Sequence, residues 1–170
     1  MNTRHCVIDS RLGELTVVAD GDALTGVYFR HQWHRPDESS FGNRIDAHTD
    51  VLLAEAALQL TGYLTGDRSD FDLPLRPRGD HRQHRVWDLL TAIPHGETVT
   101  YGELATALAD GTTPQEVGQA VGRNPLCIVI PCHRVVGSHG QLTGYAGGLK
   151  RKQFLLDLEE SADMKAARLF

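Results

Sequence analysis

Residues 100–124 read TYGELATALADGTTPQEVGQAVGRN. Thr100 stands three residues ahead of Glu103, the spacing of a capping box, which predicts a helix starting at the intervening residues. DGTT (residues 110–113) makes a turn, and Pro114 falls where a helix best tolerates proline, at its first position. Two short helices joined by a four-residue turn containing glycine are the outline of a helix-turn-helix. Upstream, RVWDLLTAI predicts a further short helix, closed by Pro94-His95-Gly96. Downstream, residues 126–130 predict a strand, RVVGSHGQLTGY a hairpin or wing, and residues 149–158 a last helix with Phe154, Leu155 and Leu158 on one face. Residues 79–160 are therefore expected to form a mainly helical winged helix-turn-helix domain.

The first half follows a different pattern. HCVIDS and GELTVVA alternate roughly in polarity, and LTGVYF follows the turn Asp20-Gly21-Asp22, which together predict three strands. Residues 31–47 are polar and predict a loop. Leu53, Ala57, Leu60 and Leu64 keep a helical period. Residues 65–80 hold two glycines, two prolines and many charges, the composition of a crossover. The expected fold class is α+β: a small sheet-and-helix domain with its linker (residues 1–78), the winged domain (79–160) and a polar tail (161–170) that no pattern interprets.

The chain has 170 residues, 41% hydrophobic content and a formal net charge of −5. No apolar run is long enough to cross a bilayer, and the N-terminus leads into no apolar signal core. Three cysteines, Cys6, Cys127 and Cys132, form no disulfide framework, and a reducing, cytoplasmic setting is expected. Nine histidines raise the question of metal. The i,i+3 pairs His31/His34 and His81/His84 lack a reinforcing second pair of ligands and read as solvated polar loops. No metal or other cofactor is expected.

In IVIPCHRVVG (residues 128–137) an apolar run ends on Pro131-Cys132-His133-Arg134. Pro131 cannot donate a ladder hydrogen bond, so strand pairing stops there. His133 can take a proton or lower the thiol pKa from its free value of about 8.5. Cys132 is the candidate nucleophile. Cys127 and Cys6 lack such a setting and read as core.

The segments VWDLLTAIPHGETVTYGELA, VGRNP, IPCHRVVG and GYAGGLKRKQFLLDLEE together resemble the O6-alkylguanine-DNA alkyltransferases. The resemblance is specific over residues 86–160 and holds only in general plan before them. It implies a suicide protein that moves an alkyl group from O6-alkylguanine, or from O4-alkylthymine or a related O-alkylated base, onto its own cysteine. Cys132 would be the acceptor, His133 its base through a water, Glu159 the group orienting that base, and Tyr101 the proton donor to the departing guanine. Asn124 would brace the turn, Tyr145 would wall the pocket, the backbone of Val135 and Ala146 would hold the base edge, and Ser138 would touch the base or its strand. The second helix of the helix-turn-helix would enter the minor groove of double-stranded DNA through Gly118 and Ala120, with Arg123 on a phosphate. The target base would be flipped out of the duplex. A monomer is expected.

Gln115, seventeen positions before Cys132, occupies the place where the family inserts an arginine into the base stack, and Glu116 follows it. Residues 79–159 carry seven Lys and Arg against eight Asp and Glu. Duplex engagement is therefore expected to be weakly supported by charge. Two further readings are a lesion-binding module without chemistry, which typically lacks the cysteine, and a thiol hydrolase built on Cys132 and His133.

Overall fold

Two strands buried almost end to end, with a third half-buried beside them, build the first half into a sheet in the computed structural model, which describes residues 2–160; the tail at 161–170 lies outside the described residues. Strands β1 (Thr3–Ile8), β2 (Leu15–Asp20) and β3 (Ala23–Phe29) run antiparallel, and β4 (Asn43–Arg44) joins β1 in parallel. The spatial order is β3-β2-β1-β4. The segment expected to be a plain loop thus contributes a short edge strand. It also carries a 3-10 turn at Glu38–Phe41, because Phe41 is buried and stacks on Tyr28 with centroids 5.3 Å apart. Helix α1 (Val51–Leu64) is capped by Asp50, which accepts from the Leu53 amide and pairs with Arg4 of β1 at 2.8 Å. Its buried face is Leu53, Ala56, Leu60, Tyr63 and Leu64, one position round from the expected Ala57.

The crossover is pinned. The amide of Leu24 donates to Pro74 and that of Arg76 to Leu24, so the linker runs along the outer edge of β3. Farther along the same edge, the Val27 amide donates to Pro125 and the Cys127 amide to Val27. The open edge of the sheet is thereby covered by the segment that leads to Cys132, which disposes of an otherwise unpaired strand.

Helix α2 (His81–Thr91) begins four residues earlier than expected, because Asp80 and Gln83 form a reciprocal capping box. His81 and His84 lie on this helix and not in a loop. After β5 (Val99–Thr100), helices α3 (Tyr101–Leu108) and α4 (Pro114–Gly122) form the helix-turn-helix, each opened by its own capping box, Thr100/Glu103 and Thr113/Glu116. Trp87 of α2 packs behind them and donates its indole N–H to the Ala120 carbonyl at 2.9 Å.

Two expectations fail here. Residues 126–130 are a tight turn and not a strand. Ile128 takes φ 74°, a left-handed conformation that a β-branched residue adopts only under constraint. The expected hairpin reduces to β6 (Val135–Val136), which pairs in parallel with β5, plus one turn closed by Gly137 N–H to Gln141 O at 2.9 Å. With β6 already paired to β5, residues 141–147 return without forming a strand. Helix α5 (Leu149–Glu159) closes the fold, and one continuous apolar core joins both halves, from Leu15 and Val27 to Val117 and Leu155.

Candidate active site

The turn that carries Cys132 is tied to Asn124. The Asn124 amide group donates to the Ile130 carbonyl at 2.8 Å, and its side-chain oxygen accepts from the Leu126 amide at 2.9 Å. Both bonds are buried, so the turn is held where its β-favouring residues alone would extend. Pro131 then starts a 3-10 turn at Cys132–Arg134. The Cys132 thiol is almost wholly enclosed. The neighbouring Cys127 thiol first, then the Asn124 amide and the charge of Lys152, draw Cys132 below the ordinary thiol range against the upward push of burial. Cys127 is held well above that range by Cys132 beside it and then by burial. Its sulfur also lies 3.6 Å from the Gln32 side-chain oxygen. Cys6 is remote core, pushed up to about 11 by burial.

Next to this pair lies a buried ionic cluster. Nε2 of His133 is 2.8 Å from Glu159, and Arg134 donates to both oxygens of that carboxylate at 2.7 and 2.8 Å. Arg134 also donates to the Ile93 carbonyl at 2.6 Å, and the Tyr63 hydroxyl of α1 donates to Glu159. Burial pushes the Glu159 carboxyl up to about 8. The guanidinium of Arg134, itself lowered to about 10 by burial, favours the ionised carboxylate and opposes that rise. Burial first, then the charges of Arg134, Lys152 and His95, hold His133 well below its usual value, so its imidazole is neutral. Nδ1 of His133 makes no hydrogen bond to the protein.

Lys152 of α5 is fully buried and donates to the carbonyls of Thr143 and Gly144 at 2.8 and 3.2 Å, which anchors the loop bearing Tyr145 and Ala146. Burial lowers it to about 8.

A cavity of about 310 Å³ opens onto Cys132. Among the residues singled out from sequence, Tyr101, Gln115, Gly118, Tyr145 and Ala146 line it together with the thiol. Tyr101 donates its hydroxyl to the Thr143 carbonyl at 3.4 Å, and burial raises its pKa. Gly118 leaves the Tyr101 ring just within van der Waals reach of a Cβ built on it. Asn124, His133 and Glu159 lie behind the wall, and Val135 is buried beside them on β6. Ser138 and Arg123 are exposed and do not line this cavity.

Ala120 is a correction. It turns inward, buried with Val117 and Val121 against α2, so it offers no surface to a groove. The outward stripe of α4 is Gln115, Gly118, Gln119 and Gly122, the i, i+3, i+4, i+7 positions, and Gln119 was legible from that spacing. Glu116 is explained by the fold: it closes the capping box with Thr113 and pairs with Arg82 at 2.6 Å. Arg85 is likewise paired, with Asp110. Sequence reasoning missed Cys127, Arg134, Lys152 and Tyr63, whose partners are remote along the chain or, for Cys127, read as inert core. Among the described residues no three His, Cys, Asp or Glu side chains converge as metal ligands, and no helix is long and apolar enough to cross a membrane.

This arrangement recurs in known proteins. Residues 3–77 match the model of the 6-O-methylguanine DNA methyltransferase ribonuclease-like domain, and residues 81–161 that of the 6-O-methylguanine DNA methyltransferase DNA binding domain. The methylated-DNA–protein-cysteine methyltransferase of Mycobacterium tuberculosis is 40% identical over 161 residues, covering 91% of this chain and 90% of that protein. The protein of the same name from Methanosarcina barkeri is 52% identical over 107 residues, 63% of this chain and 68% of its own. The crystal structure of M. tuberculosis O6-methylguanine methyltransferase superposes with a TM-score of 0.83 at 37% identity, covering 97% of this chain and 99% of that one. The M. tuberculosis OGT in complex with DNA superposes at 0.82 with 38% identity, covering 94% and 96%. With both domain models matched in order across nearly the whole chain, this protein belongs to the 6-O-methylguanine DNA methyltransferase family.

Proposed function

We propose that this protein repairs O6-alkylguanine in double-stranded DNA by transferring the alkyl group, once and irreversibly, to Cys132. The observation that carries this reading is a cysteine thiol at the wall of a cavity that also takes in the outer stripe of α4. The sulfur forms a bond to the alkyl carbon as the carbon–O6 bond breaks, and the electron pair leaves with guanine. Neutral His133, fixed through Nε2 by Glu159, has Nδ1 free to receive the Cys132 proton through a water. Tyr101 supplies a proton to the departing base. Asn124 braces the turn, Tyr145 walls the base, and the backbone of Val135 and Ala146 meets its edge. Gln115 and Gly118 face the opened duplex, Arg123 at the end of α4 meets a phosphate, and exposed Ser138 meets the strand. The thioether is stable to water, so each molecule acts once. Three free cysteines, one of them needed as a thiol, favour the cytoplasm. The boundary between the two domains falls at residues 78–79, and one chain carries every residue named.

Cys127 acts on the same step. Cys127→Ala removes the neighbouring thiol that most lowers the Cys132 pKa. Its alkylation by iodoacetamide, followed against pH, is expected to show a higher midpoint for Cys132, with slower labelling near neutrality and convergence at alkaline pH. An unchanged profile would make Cys127 mere filler.

Gln115→Arg adds one charge on the exposed stripe of α4. Tighter binding to alkylated duplex by about 1 kcal/mol and a salt dependence steeper by about one ion are expected in fluorescence titrations. Transfer from a free alkylated base should not change. Weaker duplex binding in this variant would remove Gln115 from the DNA face.

A further inference from the structure

The family reading leaves the first half of the chain with no part in the chemistry, yet that half supplies a wall of the active-site cavity. After β3 the chain folds back as the Gln32 side-chain oxygen accepts from the Phe29 amide at 2.8 Å. The Trp33 amide then donates to the Ala146 carbonyl at 3.1 Å. The Phe29 ring meets Tyr145 edge-on at 6.0 Å, lies under the Arg151 guanidinium at 4.7 Å, and approaches Gly147 so closely that a Cβ there would sit 2.6 Å from it. Residues 29–33 and 144–148 are thus one packed unit, and the position of Trp33 is set by backbone bonds.

The Trp33 ring nevertheless stays 65% exposed and stacks on no other ring among the described residues. It lines the 310 Å³ cavity that reaches Cys132. With Gly144, Tyr145 and Ala146 it also borders a second space of about 690 Å³, which continues past Arg30 and His31 to the start of α5. Trp33 and Tyr145 are two aromatic surfaces of one cavity, and beyond Trp33 there is room. A substituent on O6 larger than methyl, placed at the sulfur, shares this cavity with the Trp33 ring on its wall.

We infer that Trp33 is a specificity-determining residue that favours O6-alkylguanines bearing a large aromatic substituent, such as benzyl, by stacking on that group. This rests on the assignment of Cys132 as the acceptor. The bond changes are those of methyl transfer: sulfur bonds to the benzylic carbon, the carbon–O6 bond breaks, and the electron pair departs with guanine. Aromatic pairs gain from offset or edge contact beyond the area they bury, and an indole offers the larger face. The outer stripe of α4 faces DNA under the proposed function, whereas Trp33 enters the cavity from the other half of the chain, which favours the substituent over the duplex as its partner.

The test compares wild type, Trp33→Ala and Trp33→Phe in single-turnover transfer from O6-benzylguanine and O6-methylguanine, each offered as the free base and in one duplex sequence. Trp33→Ala is expected to slow benzyl transfer about tenfold in both forms and methyl transfer by less than about twofold, with Trp33→Phe recovering most of the benzyl rate. Equal losses for both groups would mean that Trp33 touches the purine. A loss confined to duplex would mean that it touches DNA, and no loss that it is a bystander; each overturns the inference. A wild-type protein that transfers neither group would instead defeat the assignment of Cys132, which keeps the two failures apart.

Discussion

Glu159→Gln is expected to destabilise the fold by about 3–5 kcal/mol, because it strips a buried guanidinium of its counter-charge while leaving the shape unchanged. Arg134 reaches both oxygens of this carboxylate, and His133 and Tyr63 bond to it as well. Urea unfolding measures the loss. The double variant Arg134→Met with Glu159→Gln should regain much of it, since the penalty lies in the unpaired charge rather than in the missing pair. A single variant within about 1 kcal/mol of wild type would show that the Glu159 carboxyl is already protonated, as one pushed up to about 8 allows. Alkyl transfer by the folded variant should be slowed most near neutral pH, where His133 must take the proton, and least above the free thiol pKa of about 8.5.

Tyr101→Phe keeps the ring that lines the cavity and removes only the hydroxyl. That hydroxyl makes one long bond, to Thr143 at 3.4 Å, so stability should hardly move. The transfer rate should fall roughly 10- to 1000-fold, as for other groups that stabilise charge appearing on a leaving oxygen in a dry site. Single-turnover kinetics on alkylated duplex read this directly. An unchanged rate would leave Tyr101 as a packing residue.

Helix starts were legible wherever a cap is local. Thr100 with Glu103, and Pro114 at the head of α4, could be read from spacing alone because their bonds span three residues. The Asp80–Gln83 box uses the same local chemistry, but the polar HRQH after Asp80 carries the composition of a solvated loop and masks the helix start. Residues 126–130 went the other way: LCIVI has the composition of a strand, but Asn124 claims its backbone groups and forces Ile128 to φ 74°. Composition carries no trace of that. Nor could it show that Lys152 is buried under the loop it anchors, or that Tyr63, seventy residues from His133, lies 3.4 Å from that imidazole. A carboxylate at Glu116 on a DNA-facing helix is accounted for by two bonds, its capping box with Thr113 and its pair with Arg82, of which only the local one is written in the spacing. Trp33 read only as part of a polar loop; its place at the cavity depends on how β3 meets residues 144–148.

The assignment of Cys132 is tested most directly by intact-protein mass spectrometry after incubation with excess duplex containing O6-methylguanine, followed by peptide mapping. One stable methyl per molecule on Cys132 is predicted for the wild type. Cys132→Ala should bind the same duplex with nearly unchanged affinity and gain no mass. Methyl found on Cys127 or Cys6, or product exceeding one equivalent of protein, would contradict the account.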